Sequence, residues 1–184
     1  MLRQNACIRQ HGLGMVEVIV SLLLLAVAVL GFSAMQMRAV KATDETLIRS
    51  DAMVAVRNIA EDMRLHPTAD MKQRYRDAIA AHGASANPAT YAAAIPAAPG
   101  TNCAISACTA VQQVDYTAHQ AMRLAADNQM MLNALDCPGA GLVRVCLIAS
   151  WGETTPTVGD GNADCISDQG TYNRGSSCVV LETY

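Results

Sequence analysis

Residues Gly12 to Met37 read GLGMVEVIVSLLLLAVAVLGFSAMQM, and the fold class turns on how this stretch is understood. Between Glu17 and Arg38 it carries no charge and is dominated by Leu, Val and Ala. As a helix the charge-free part would extend roughly 30 Å, the thickness of a bilayer hydrocarbon core. Glu17 is the anomaly, because an ionised carboxylate is expensive in lipid and marks a functional position by default. Ahead of the run lies MLRQNACIRQH, a polar leader with Arg3 and Arg9 and no acid.

Three readings compete for the stretch. A secretory signal peptide has a basic start, an apolar run of about 7–15 residues and a small-residue cleavage site beyond it. This run is longer, although Phe32-Ser33-Ala34 has the look of such a site. A plain membrane anchor fits the length but gives Glu17 no purpose. The third reading places the cut before the apolar run. Gly12 is then the last residue removed, Leu13 the new first residue and Glu17 the fifth of the mature chain.

A basic leader ending in Gly, followed by an apolar helix with Glu at its fifth position, resembles the class III signal of type IV pilins and type II secretion pseudopilins. Gly12, Leu13 and Glu17 stand where that family has its cleavage Gly, its N-methylated first residue and its Glu. Leu13 departs from the family's usual Phe, and Gly14 also departs. The resemblance implies a physical role for Glu17. A new amino terminus on Leu13, buried among packed apolar helices, needs a counter-charge, and Glu17 of a neighbouring subunit would supply it. Either charge alone is costly to bury; the pair is much less so.

From Arg38 to Leu65 the pattern becomes amphipathic. Ile48, Ala52, Ala55, Ile59 and Met63 recur at spacings of three and four, with Val56 beside them, while Arg49, Arg57, Asp62 and Arg64 occupy other faces. No Pro interrupts before Pro67, so one helix of about 50 residues should end near His66. Gly31 is its one weak point. The segment IAEDMRLHP (Ile59 to Pro67) and the opening GLGMVEVIVSLLLL resemble the corresponding stretches of PilV-type minor pilins.

The remainder predicts an exported α+β domain. Seven cysteines are present; Cys7 lies in the leader, and Cys103, Cys108, Cys137, Cys146, Cys165 and Cys178 lie in the C-terminal half. An even set in an exported domain indicates up to three disulfides. Sequential pairing is the simplest arrangement, but spacing does not choose among the alternatives. A metal site would want Cys-x-x-Cys pairs or nearby histidines, and His66, His82 and His119 are not close to a cysteine pair.

Asp70 to Ala81 predicts a short helix ending at Gly83. Ala84 to Thr101, rich in Ala and Pro, reads as a loop. Cys108 to Leu135 reads as helix, with Val111, Val114, Ala118, Met122, Ala125 and Met130 or Met131 in a loose stripe. Leu142 to Trp151 is the best strand, with Val143, Val145, Leu147 and Ala149 on one face and Arg144, Cys146 and Ile148 on the other. Ser177 to Tyr184 should pair with it in an antiparallel sheet of three or four strands packed on the long helix. Trp151 reads as a packing residue. Between the strands, Asp160, Asn162, Asp164 and Asp168 mimic part of a calcium loop. Cys165 and Thr171 stand where an EF-hand needs Gly and Glu, so a polar hairpin loop is the simpler reading.

Charge excludes one class of partner. The chain has 13 basic and 16 acidic residues and a net charge of −3. Eight of the thirteen basic residues fall between Arg38 and Arg76, and beyond Asp77 only Arg123, Arg144 and Arg174 remain. A nucleic-acid binder would carry a basic patch on its folded domain. Asp44, Glu45 and Asp51 lie among the basic residues after the apolar run, so orientation rests on the Arg-bearing leader staying inside. No GxSxG, HExxH or Gly-rich phosphate loop is present, and neither a catalytic role nor a cofactor is indicated.

The resemblance therefore implies four segments: a leader (1–12), a transmembrane or filament-core half of the spine helix (13–37), an amphipathic half (38–66) and a periplasmic head (67–184). It implies an inner-membrane precursor that becomes a minor pilin of the type IV pilus and helps prime assembly in a tip complex. The implied partners are prepilin peptidase, other minor pilins, the major pilin, the inner-membrane assembly machinery and a tip adhesin. A minor pseudopilin of type II secretion shares the same signal. A signal-anchored periplasmic enzyme or binding protein is the alternative from another class.

Overall fold

The computed structural model describes residues 14–139 and 144–183. Gly12, Leu13, Leu142, Val143 and Tyr184 lie outside them. The chain divides into two compact units, Met1–Glu45 and Thr46–Tyr184.

From Met15 on, the first unit is helical. Helix α1 (Met15–Leu65) begins in it, and Glu17 sits in its first turn. The apolar side chains of this part are all exposed, Leu30 at 70% and Met35 at 73% among them. The helix is long and apolar enough to cross a membrane. Its serine hydroxyls are satisfied locally. Ser21 donates to the Val18 carbonyl at 2.9 Å and Ser33 to the Val29 carbonyl at 2.9 Å. A hydroxyl that bonds back to the preceding turn asks nothing of an apolar surrounding.

The second unit is built on the remainder of α1. Ala52, Ala55, Val56, Ile59, Ala60 and Met63 are buried, the stripe drawn by the three-and-four spacing. Helix α2 (Ala69–Gly83) follows at once, capped by the Thr68 hydroxyl, which accepts from the Met71 amide. Tyr75 and Ile79 enter the same core. Helix α3 (Pro88–Ala94) lies in the segment predicted as loop. Its Ala content supplies propensity, and a capping box between Asn87 and Thr90 with Pro88 in the first turn supplies the start. Helix α4 (Ala110–Asp127) opens with a second capping box, Thr109 with Gln112, and buries Val114, Ala118, Met122 and Ala125.

The predicted helix over Cys108–Leu135 is too long. α4 stops at Asp127, Gln129 takes a left-handed φ of 56°, and Met130–Asp136 forms strand β1. Met, Leu and Ala favour helix intrinsically, but pairing with a central strand overrides that preference here. β2 (Val145–Trp151) is central, with β1 and β5 (Cys178–Thr183) antiparallel on either side. Leu132, Ala149 and Val179 align across the sheet, as do Ala134, Leu147 and Leu181. This face joins the core formed with the helices. A separate parallel pair, β3 (Thr155–Val158) and β4 (Asp164–Ile166), was not foreseen. Cys165 and Ile166 of β4 cluster with Ile148 and Cys178, which belong to the other face of the main sheet. The architecture is thus α+β, with the long helix packed on a small antiparallel sheet and three disulfides.

Gly83 ends α2 for a packing reason. A Cβ there would stand 2.1 Å from Asn133 Oδ1 and 2.8 Å from Asn133 Cβ. Asn133 cannot move freely, because its Nδ2 donates to the Pro156 carbonyl at 2.8 Å. Gly83→Ala should therefore destabilise the folded chain by about 1–3 kcal/mol, as overpacking does. Thermal unfolding of the detergent-solubilised chain should show a lowered midpoint, partly restored by adding Asn133→Ala.

Candidate functional site

Glu17 is exposed on α1, where its carboxylate also suits the positive end of the helix. Its amide donates to the Gly14 carbonyl at 2.9 Å. Gly12 and Leu13, the other members of the N-terminal signal, fall outside the described residues.

The six head cysteines form three bonds between sequence neighbours: Cys103–Cys108, Cys137–Cys146 and Cys165–Cys178. Each does different mechanical work. Cys103–Cys108 closes a short loop directly before the Thr109 cap of α4. Cys137–Cys146 staples β1 to β2 where Leu135 and Cys146 are already register partners. Cys165–Cys178 fastens β4 to β5, and both residues are buried.

The acidic loop is arranged around one carboxylate and does not gather its acids. Asp164 accepts from Thr157 Oγ1 at 2.5 Å and from the Gly161 amide at 2.9 Å. A Cβ on Gly159 or Gly161 would come within 2.5 or 2.8 Å of Asp164 Oδ2, so both glycines make room for that carboxylate. Asn173 Nδ2 reaches the carbonyls of Gly159 at 2.8 Å and Asp164 at 3.0 Å. Asp160, Asn162 and Asp168 are exposed. Among the described residues, the metal-like grouping is Cys137, Cys146 and Glu182. Its sulfurs are already bonded to each other, and Arg144 holds Glu182.

Polar links fix the helices of the head. Arg74 donates to both carboxylate oxygens of Asp115, at 2.7 and 2.5 Å, joining α2 to α4. The Tyr75 hydroxyl lies 2.6 Å from Thr117 Oγ1, and burial pushes its phenol up from the ordinary 10.0. Arg76 donates to Asp136 at 2.7 Å, tying α2 to β1. His119 Nε2 is 2.8 Å from the Pro96 carbonyl, which holds the segment after α3 against α4.

A groove of about 380 Å³ runs between α1 and α4, lined by Ala55, Ile59, Ala121 and Leu124, with Asp62 and Tyr116 among its polar members. Asp62 is half-buried, and desolvation raises its carboxyl above the ordinary 3.8, opposed by the nearby His66. The available signal was its place three residues after Ile59, at the margin of the apolar stripe.

Residues 34–119 match the model of the family described as Tt1218-like, type IV pilin Tt1218. No curated protein and no solved structure matches the chain. The matched span takes in the second half of α1, α2, α3 and the first part of α4. The matched family is one of type IV pilins, and the apolar start of α1, long enough to cross a membrane, is consistent with such a protein.

Two outcomes follow for the head. Replacing Cys165 and Cys178 by Ser should cost about 3 kcal/mol by the loop-entropy argument, measured by denaturant unfolding against the intact chain. The folded state holds a proton on Asp62 more tightly than the unfolded chain does. Its contribution therefore favours folding below the ordinary pKa and is lost as pH rises to the raised value. Asp62→Asn should remove that decline and raise the unfolding midpoint at neutral pH, read by thermal melts across the acid range. Over residues 34–119 the α+β chain is similar in sequence to type IV pilins of the Tt1218-like family.

Proposed function

We propose that this chain is a minor pilin of the type IV pilus. It is made as a single-pass inner-membrane precursor with its head in the periplasm. Prepilin peptidase cuts after Gly12 and methylates Leu13, and Glu17 pairs with the amino terminus of a neighbouring subunit during assembly. The mature subunit joins other minor pilins in a complex that primes the filament and sits at its tip. The observation that carries this reading is the pilin-family match on the same helix that presents a lone acid, Glu17, at the start of an apolar run.

The N-terminal chemistry supports the reading. Glu17 would be stranded in lipid or in a filament core without a cation. A free amino group four residues away in the mature numbering, on a subunit displaced by about one helical turn, is a natural partner. Such a pair sets axial register as well as charge balance. A minor pseudopilin of type II secretion would use the same N-terminal chemistry, so the decisive difference is the filament in which the subunit is found.

Mass spectrometry of the mature amino terminus, from cells with active prepilin peptidase, should find N-methyl-Leu13. A chain that begins at Met1 would instead be an ordinary anchor, and one that begins near Met35 a soluble exported domain. Glu17→Ala should abolish assembly while leaving membrane insertion intact, scored in sheared pili and in membrane fractions. Recovery of the chain only with secretion components would assign it to the secretion apparatus.

A further inference from the structure

We propose that the groove between α1 and α4 receives α1 of a second copy of this chain, whose Lys41 pairs with Asp62. The proposal deepens the assembly reading above and rests on it for its biological setting. Two complementary surfaces carry it. On the groove side, Ala55, Ile59, Ala121 and Leu124 form an apolar lining, and Leu124 is 53% exposed. Asp62 shares this groove. Among the described residues it accepts no hydrogen bond and forms no ion pair, and burial disfavours its charged form. A half-buried carboxylate without a donor gains from an incoming cation, because its desolvation has already been incurred.

The complementary surface is on the first unit. Leu30, Ala34, Met37 and Lys41 recur at spacings of four, three and four, which places them on one face of α1. Leu30 and Met37 are 70% and 65% exposed, and Lys41 forms no ion pair among the described residues. An apolar stripe ending in a single ammonium group matches an apolar groove with a single carboxylate. This is the helix-in-groove mode of recognition, with the charge pair fixing axial position. The two surfaces differ from each other, so the contact is head-to-tail. Repeated without closure, such contacts generate an open filament.

The chain contains two lysines, Lys41 and Lys72, which makes a zero-length amine–carboxyl cross-link assignable. Two differently tagged full-length copies are made together in one membrane. One carries Lys41→Arg and keeps Asp62; the other keeps Lys41 and carries Asp62→Asn. Carbodiimide activates a carboxylate oxygen, the Lys41 amine displaces the resulting urea, and an amide forms. With these variants that amide can join Lys41 to Asp62 only between copies. The expected product is a mixed dimer whose cross-linked peptide joins Lys41 to Asp62, and it should disappear when both copies carry Asp62→Asn. Asn is nearly isosteric with Asp, and intact disulfides report that the head has folded. Coupling only through Lys72, coupling of Lys41 to another protein, or no mixed dimer would overturn the proposal. The mature amino terminus is read on the same sample. N-methyl-Leu13 without the mixed dimer sinks the groove contact and leaves the pilin reading standing. The mixed dimer on a chain that starts at Met1 does the reverse.

Discussion

The burial of one stripe on α1 is the constraint on which the head depends. Ala52, Val56, Ile59, Ala60 and Met63 meet side chains from α2, α3, α4 and the sheet in a single core. Two of the five are alanines, which leave space for larger side chains from elsewhere. The larger side chains come from the partners: Tyr75 and Ile79 from α2, Tyr91 from α3, Met122 from α4 and Leu132 and Leu147 from the sheet. Replacing an alanine of the stripe by a large residue would force all of these apart, whereas exposed positions on the same helix carry no such restriction.

The sheet explains why the cysteines are needed where they are. A three-stranded sheet with only one covered face would leave Ile148 and Val180 in water. Here β4 and the loop around it supply the second cover, through Cys165 and Ile166. That cover is a short irregular segment with few apolar contacts of its own. It is held by internal hydrogen bonds around Asp164 and Asn173 and by the Cys165–Cys178 bond. A small domain lacking a large core commonly relies on such cross-links.

Polar groups in the two units follow opposite logics. In the apolar part of α1, the serine hydroxyls return to their own helix, and among the described residues the Glu17 carboxylate has no hydrogen-bond or ion-pair partner. In the head, Arg74, Arg76 and Arg144 each find a carboxylate within the domain. Exposed ion pairs of this kind contribute little stability individually. Their geometry, bidentate in the case of Arg74 and Asp115, orients the helices. Asp62 belongs to neither group, since it lies in the second unit yet, among the described residues, has no cation bonded to it.

Much of this architecture was legible without coordinates, because its signals are local and periodic. The uninterrupted apolar run, the three-and-four spacing from Ile48 to Met63 and the Pro67 stop define α1 almost to the residue. The alternating pattern around Leu147 identifies β2. What the sequence could not determine were features decided by contacts distant along the chain. Met130 to Leu135 has helical propensity, but pairing with β2 makes it a strand. Gly83 has the look of a helix terminator, but its bareness serves Asn133, fifty residues on. The groove beside Asp62 exists only because α4 packs along α1. Periodicity reports which face of an element is apolar; only the assembled fold decides what that face meets.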